Sequence, residues 1–168
     1  MYKKTYSMLF FILMIIFLII GYFYDGNSKS IENPKLLNYH DIFFIFLVNA
    51  FVLLLIFALS PTGLSLVFIF KNIFTIGQSI GHSGDDIYIY ILISLIHGLF
   101  EITALFLAYK ITLKFLIYYF KKSERNLKKL ISNFKMLLKT YIYYVIPILL
   151  IGAVLEVLVS NRLFIIYS

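Results

Sequence analysis

Five long apolar stretches follow one another along this chain, at about 8–24, 42–60, 64–81, 87–109 and 140–159. A helix needs roughly 20 mostly apolar residues to cross the hydrocarbon layer of a bilayer. Inside that layer the backbone must satisfy its own polar groups, which a helix does unaided. The pattern predicts an all-α polytopic membrane bundle of about five transmembrane helices, one integral domain over residues 1–168. Hydrophobic residues make up 62% of the 168, well above the roughly one half of a soluble domain. The lipid bilayer is the first partner the chain requires.

The connecting segments set the organisation. Lys3 and Lys4 precede the first stretch, which is long for a signal-peptide core and lacks a small-x-small cleavage site, so a retained span is expected. Residues 25–41 are polar and slightly acidic. Pro61-Thr62-Gly63 is a tight-turn signal that makes spans two and three a hairpin. The third span is the least apolar. It carries Lys71, Asn72, Thr75, Gln78 and Ser79 with Gly77 and Gly81, a composition that suggests a broken or partly re-entrant helix. From Ile87 to Phe120 the chain is almost continuously apolar; the reading is one span to about Tyr109, with Lys110 and Lys114 snorkelling at its end. Residues 123–139 then combine lysines with Leu127, Leu130, Ile131, Phe134, Leu137 and Leu138 at helical spacing, behind Ser123 as N-cap. This is expected to be a basic amphipathic helix on the anionic inner leaflet.

The net charge of +7 fits orientation better than nucleic-acid binding. Lys3, Lys4 and the lysines from Lys110 to Lys139 fall on one side of a five-span arrangement, while Asp25, Glu32, Asp41, Asp85 and Asp86 fall on the other. Positive-inside counting puts the N-terminus in the cytoplasm and the C-terminus outside. The absence of cysteine excludes disulfides, thiol catalysis and Cys-ligated metals.

Within the spans, ionisable groups are few and therefore informative, because each is costly at that depth. His97 and Glu101 lie four residues apart on one helix face, with Ser94, Ala104 and Ala108 extending the same stripe. Glu156 shares a face of the last span with Gly152 and Ser160. Asn49, Asn72 and Lys71 complete the polar set. One pocket fed by four spans would gather these residues. His97, Glu101 and Glu156 are the candidate catalytic groups and the candidate ligands of a divalent metal such as zinc, with one carboxylate as an alternative general base. A proton relay or transport site is a rival use. The structural alternative has Glu101 and His97 bonding neighbouring helices or pairing with Lys71, and Asn49 and Asn72 as interhelical glue.

Three motifs carry a resemblance: Asn72 in a middle span; His97-Gly98-Leu99-Phe100-Glu101-Ile102-Thr103-Ala104; and Pro147 followed by Ala153-Val154-Leu155-Glu156. In this the chain resembles the stage II sporulation protein M family of bacterial multi-span membrane proteins. It departs from the family pattern where Ile96 replaces a proline and Ile73 replaces a glycine. The resemblance implies a bacterial plasma-membrane location and two kinds of role. Sporulation members resemble scaffolds for peptidoglycan-degrading partners. Short stand-alone members occur with genes that mature and export circular bacteriocins, and this compact chain is more similar to those. The implied partners are membrane proteins of a maturation or export complex, a hydrophobic peptide and a second copy of the chain. A metal-dependent intramembrane peptidase or cyclase is the enzymatic form of that expectation. A small transporter or immunity protein is another, less favoured because no internal repeat or nucleotide-binding motif is evident.

Overall fold

The computed structural model describes residues 2–24, 36–81, 87–121 and 126–167, and every regular element among them is helical. In order these are α1 (Tyr2–Phe23), α2 (Tyr39–Ala58), a single 3-10 turn (Ser60–Thr62), α3 (Ser65–Gly81) and α4 (Ile87–Phe120). Then come α5 (Leu127–Thr140), α6 (Ile146–Leu155) and α7 (Asn161–Tyr167), joined by π-helical turns at Tyr141–Val145 and Glu156–Ser160. Four helical stretches are long and apolar enough to cross a membrane: Thr5–Phe23, Tyr39–Thr62, Ile91–Phe120 and Leu127–Leu163. The helix α3 is apolar but shorter than these four. The expected acidic turn His82–Asp86, most of the segment between Asp25 and Asp41, and the proposed cap Ser123 lie outside the described residues.

Three sequence expectations change. First, α3 is one unbroken helix of 17 residues, not a broken or re-entrant one. Thr75 and Ser79 return their hydroxyls to the carbonyls of Lys71 and Thr75 on their own helix, so their polarity needs no break in it. Second, the basic helix starts at Leu127, where Asn126 caps it by accepting from Lys128 N at 2.9 Å. Third, this helix does not end where the last span begins. It runs on through Tyr141–Val145, where Ile146 N donates five residues back to Tyr141 O. Pro147 stands just beyond, and widening the preceding turn accommodates a residue that has no N–H to give.

Close backbone approach joins α1 to α3. A Cβ on Gly77 or Gly81 would collide with the carbonyl oxygens of Leu18 and Tyr22, and one on Gly21 with that of Phe74. Gly77 and Gly81 are four apart, the small-xxx-small spacing that lets membrane helices touch backbone to backbone. Phe10, Phe17 and Phe70 pack beside this seam, with the Phe17 and Phe70 rings stacked at 5.0 Å.

The α2–α3 hairpin closes at Gly63, whose φ of 80° favours glycine. Beside it sits a fully buried hydroxyl cluster. Thr112 Oγ1 donates to Ser60 Oγ at 3.1 Å and lies 2.6 Å from Ser65 Oγ. These bonds fix the hairpin to α4 and mark one end of the bundle. Tyr109 Oη donates to Tyr6 O near the same end, which also carries Lys110 and Lys114. At the far end Leu37 N donates to Asn161 Oδ1 at 2.8 Å.

A candidate polar chamber in the bundle

The chamber arises where α2, α3, α4 and α6 face one another. Its volume is about 190 Å³, and Asn49, Asn72, Thr75, Ser79, Glu101 and Leu149 are among the residues lining it. Asn49 Nδ2 donates to Glu101 Oε1 at 2.9 Å, so a carboxylate of α4 and an amide of α2 hold each other at the wall. Asn72 turns its Nδ2 back to Phe68 O at 2.8 Å and still lines the space. Above Glu101 on α4, Ala104 and Ala108 are fully buried, which lets neighbouring helices approach that face.

His97 belongs to a second, adjacent cluster. Its Nδ1 lies 3.0 Å from Ser160 Oγ, and Ser160 Oγ donates to Ile93 O at 3.2 Å. Between the two clusters Gly152 packs against Phe100, where an added Cβ would come within 3.3 Å of the Phe100 Cβ. Glu156 begins the π turn that carries Ser160. It is half-buried on a turn that packs against α4. That π turn shifts the helix phase, with Asn161 N bonded five residues back to Glu156 O. Such insertions often re-aim side chains at functional sites.

The six residues singled out in the sequence therefore separate. Asn49, Asn72 and Glu101 share the chamber, His97 stands one turn away with Ser160, and Glu156 lies close by. Lys71 does not pair with Glu101. It is exposed on α3 and lines a groove of about 470 Å³ between α2 and α3, together with Phe68, Leu55 and Leu59. Chamber and groove share Val52, Asn72 and Thr75, so they adjoin. Among the described residues no three His, Asp or Glu side chains form a group that could hold a metal ion. Glu101 is bonded through Oε1 to Asn49, and His97 through Nδ1 to Ser160.

Two polar features had no role assigned from sequence. Ser160 was legible as a face-mate of Gly152 and Glu156, but its partner depends on how α4 meets the last helix. The hydroxyls of Ser60, Ser65 and Thr112 look unremarkable singly, and only their meeting point distinguishes them. Tyr141 adds a further tie, its Oη donating to Ala50 O at 2.6 Å.

Several apolar helices around a buried polar centre define a polytopic, helical integral membrane protein. The model of the stage II sporulation protein M family matches residues 7–161, and the chain belongs to that family. No curated protein and no solved structure matches it.

Proposed function

We propose that this chain is the membrane-embedded component of a system that matures or exports a hydrophobic, bacteriocin-like peptide. It receives an apolar segment of that peptide between α2 and α3. The observation that carries the reading is the junction of an apolar groove with a polar chamber at Val52, Asn72 and Thr75. Apolar side chains would occupy the groove while peptide N–H and C=O groups meet Glu101, Asn49 and Asn72, replacing the water lost on entering the bilayer. The proposal includes a bacterial plasma-membrane location with the N-terminus cytoplasmic and the C-terminus external. The gathering of Lys110, Lys114, Lys135 and Lys139 toward one end supports it.

A photo-reactive residue at Val52 tests the reading in cells that make the peptide precursor. The expected result is a precursor adduct that Glu101→Gln reduces several-fold at equal expression. Normal maturation in Glu101→Gln, with no adduct from Val52, would overturn it.

A second reading, a non-catalytic scaffold for membrane partners such as peptidoglycan-remodelling proteins, is favoured by a different observation. Both Glu101 and His97 already bond neighbouring helices, as interhelical fasteners do. The scaffold reading expects Glu101→Gln to retain full activity, since an amide oxygen accepts from Asn49 as well.

A further inference from the structure

A further cavity, of about 460 Å³, opens between α1, α4 and α5. It shares none of its described lining residues with the chamber or the groove. On α4 the lining residues cover about half of the helix surface. Lys110 and Lys114 stand at the middle of that arc, about 40° apart in projection. Leu107 and Ile117 continue the same stripe one turn to either side. Ser7 brings a hydroxyl-bearing side chain from α1, and Thr140 another from the end of α5.

Both lysines fall inside the apolar stretch Ile91–Phe120, where a charge is costly unless it reaches water or meets a partner. Lys110 does not extend toward the nearer end of that stretch. Its Nζ turns one helical turn back, over the Phe106 ring, 4.1 Å from the centroid. Phe106 in turn packs against Phe10 and Phe11 of α1, with ring centroids 5.0 and 5.5 Å away. Lys114 Nζ reaches the other way, to Met136 Sδ on α5. One amine is thus drawn to the α1 side and the other to α5, with the cavity between those helices. A ring face and a thioether hold a cation less strongly than a phosphate oxygen does.

The amines and the walls together select an occupant. Two ammonium groups with hydroxyls nearby suit a phosphate, and none of the described lining residues is an Asp or Glu that would repel it. The apolar side chains bordering the lysines suit a hydrocarbon chain, which a free phosphate lacks. A docking helix is too bulky. One turn with its side chains, about 10–12 Å across and 5.4 Å tall, takes up roughly 400–600 Å³ and would fill the whole space. A net-anionic headgroup fits better than a zwitterionic one, whose own ammonium group would face the second lysine. The bilayer that the apolar helices require supplies such molecules at high local concentration.

We propose that this cavity binds one anionic phospholipid, its phosphate between Lys110 and Lys114 and its acyl chain against the apolar wall. Basic pockets between membrane helices recognise headgroups in this way. The site is separate from any peptide held in the chamber.

The full-length protein, delipidated in mild detergent, tests the proposal. Bound lipid is counted by native mass spectrometry during titration with dioleoyl-phosphatidylglycerol or with phosphatidylcholine of the same chains. The first phosphatidylglycerol should bind roughly tenfold or more tightly than phosphatidylcholine, the effect of two lysines beside a lipid charge. Lys110→Gln with Lys114→Gln should reduce its affinity to the phosphatidylcholine level. Lys128→Gln with Lys135→Gln removes the same charge from exposed α5 lysines outside the cavity, and should leave the preference intact. All four lysines are exposed, so both double variants should keep the parent's thermal melt. Equal affinity for the two lipids, or an equal loss in both double variants, would overturn the proposal. Competition separates the other sources of an anion. Displacement of the lipid by an equal concentration of inorganic phosphate would assign the lysines to a free anion, and displacement by hexaglutamate to an acidic peptide. Either result sinks the lipid assignment.

Discussion

Asn49 and Glu101 lie 52 positions apart in the chain, yet the Asn49 amide donates to the Glu101 carboxylate at 2.9 Å and joins α2 to α4. The bond separates charge from hydrogen bonding as experimental variables. Glu101→Gln retains an acceptor of the same shape, so stability should change by less than about 1 kcal/mol. Glu101→Leu leaves the Asn49 amide without its acceptor and should cost about 1–3 kcal/mol. Unfolding in mild detergent, followed by helical signal against denaturant, measures both. Equal losses in the two variants would mean that the bond contributes nothing.

The His97–Ser160 contact is the corresponding tie between α4 and the last helix. A double-mutant cycle with His97→Ala and Ser160→Ala should return a coupling of about 0.6–1.7 kcal/mol, the range found for hydrogen bonds between membrane helices. Additive single effects would show that the contact carries no energy of its own.

Two glycines on different helices make opposite predictions. Gly77 packs against the backbone of Leu18, and a side chain there cannot be accommodated by rotating a neighbour. Gly77→Val should lower stability by about 1–3 kcal/mol or more and expose α1 to proteolysis. Gly98 has nothing within 4 Å of where its Cβ would stand. Gly98→Ala should therefore stabilise α4 by up to about 1 kcal/mol, because alanine loses less conformational freedom in a helix. Thermal melts of the two variants side by side provide the comparison.

Thr112 connects α4 to both ends of the α2–α3 turn through Ser60 and Ser65. Thr112→Val keeps the volume and removes the hydroxyl, leaving Ser65 Oγ without that partner while Ser60 keeps its bond to Ile56 O. The expected cost is about 1–3 kcal/mol, with earlier protease cleavage at Pro61–Gly63. Thr112→Ser should recover most of it, and a failure to do so would point to packing instead.

Much of this molecule was legible one residue at a time. Apolar length dictated helices, because a backbone in lipid has no other way to pair its polar groups over such stretches. The Pro61-Thr62-Gly63 turn and the polar stripe of α4 were readable for similarly local reasons. The family followed from short motifs around Asn72, His97, Glu101 and Glu156. Local rules misled where polarity had an answer inside its own helix. Thr75 and Ser79 bond back along α3, so the expected break is absent. Lys71 was a plausible mate for Glu101 by depth, but its side of α3 faces the groove and not the chamber.

Composition and periodicity, then, determined that the chain is a bundle of membrane helices and which side chains are too polar to be lost in lipid. Tertiary structure alone decided their company: Glu101 with Asn49, His97 with Ser160, Thr112 with two serines. Helical spacing specifies the face a residue occupies but not the helix that comes to meet it. That choice depends on where glycines permit backbones to touch and where π turns alter the phase, and both are properties of the packed bundle.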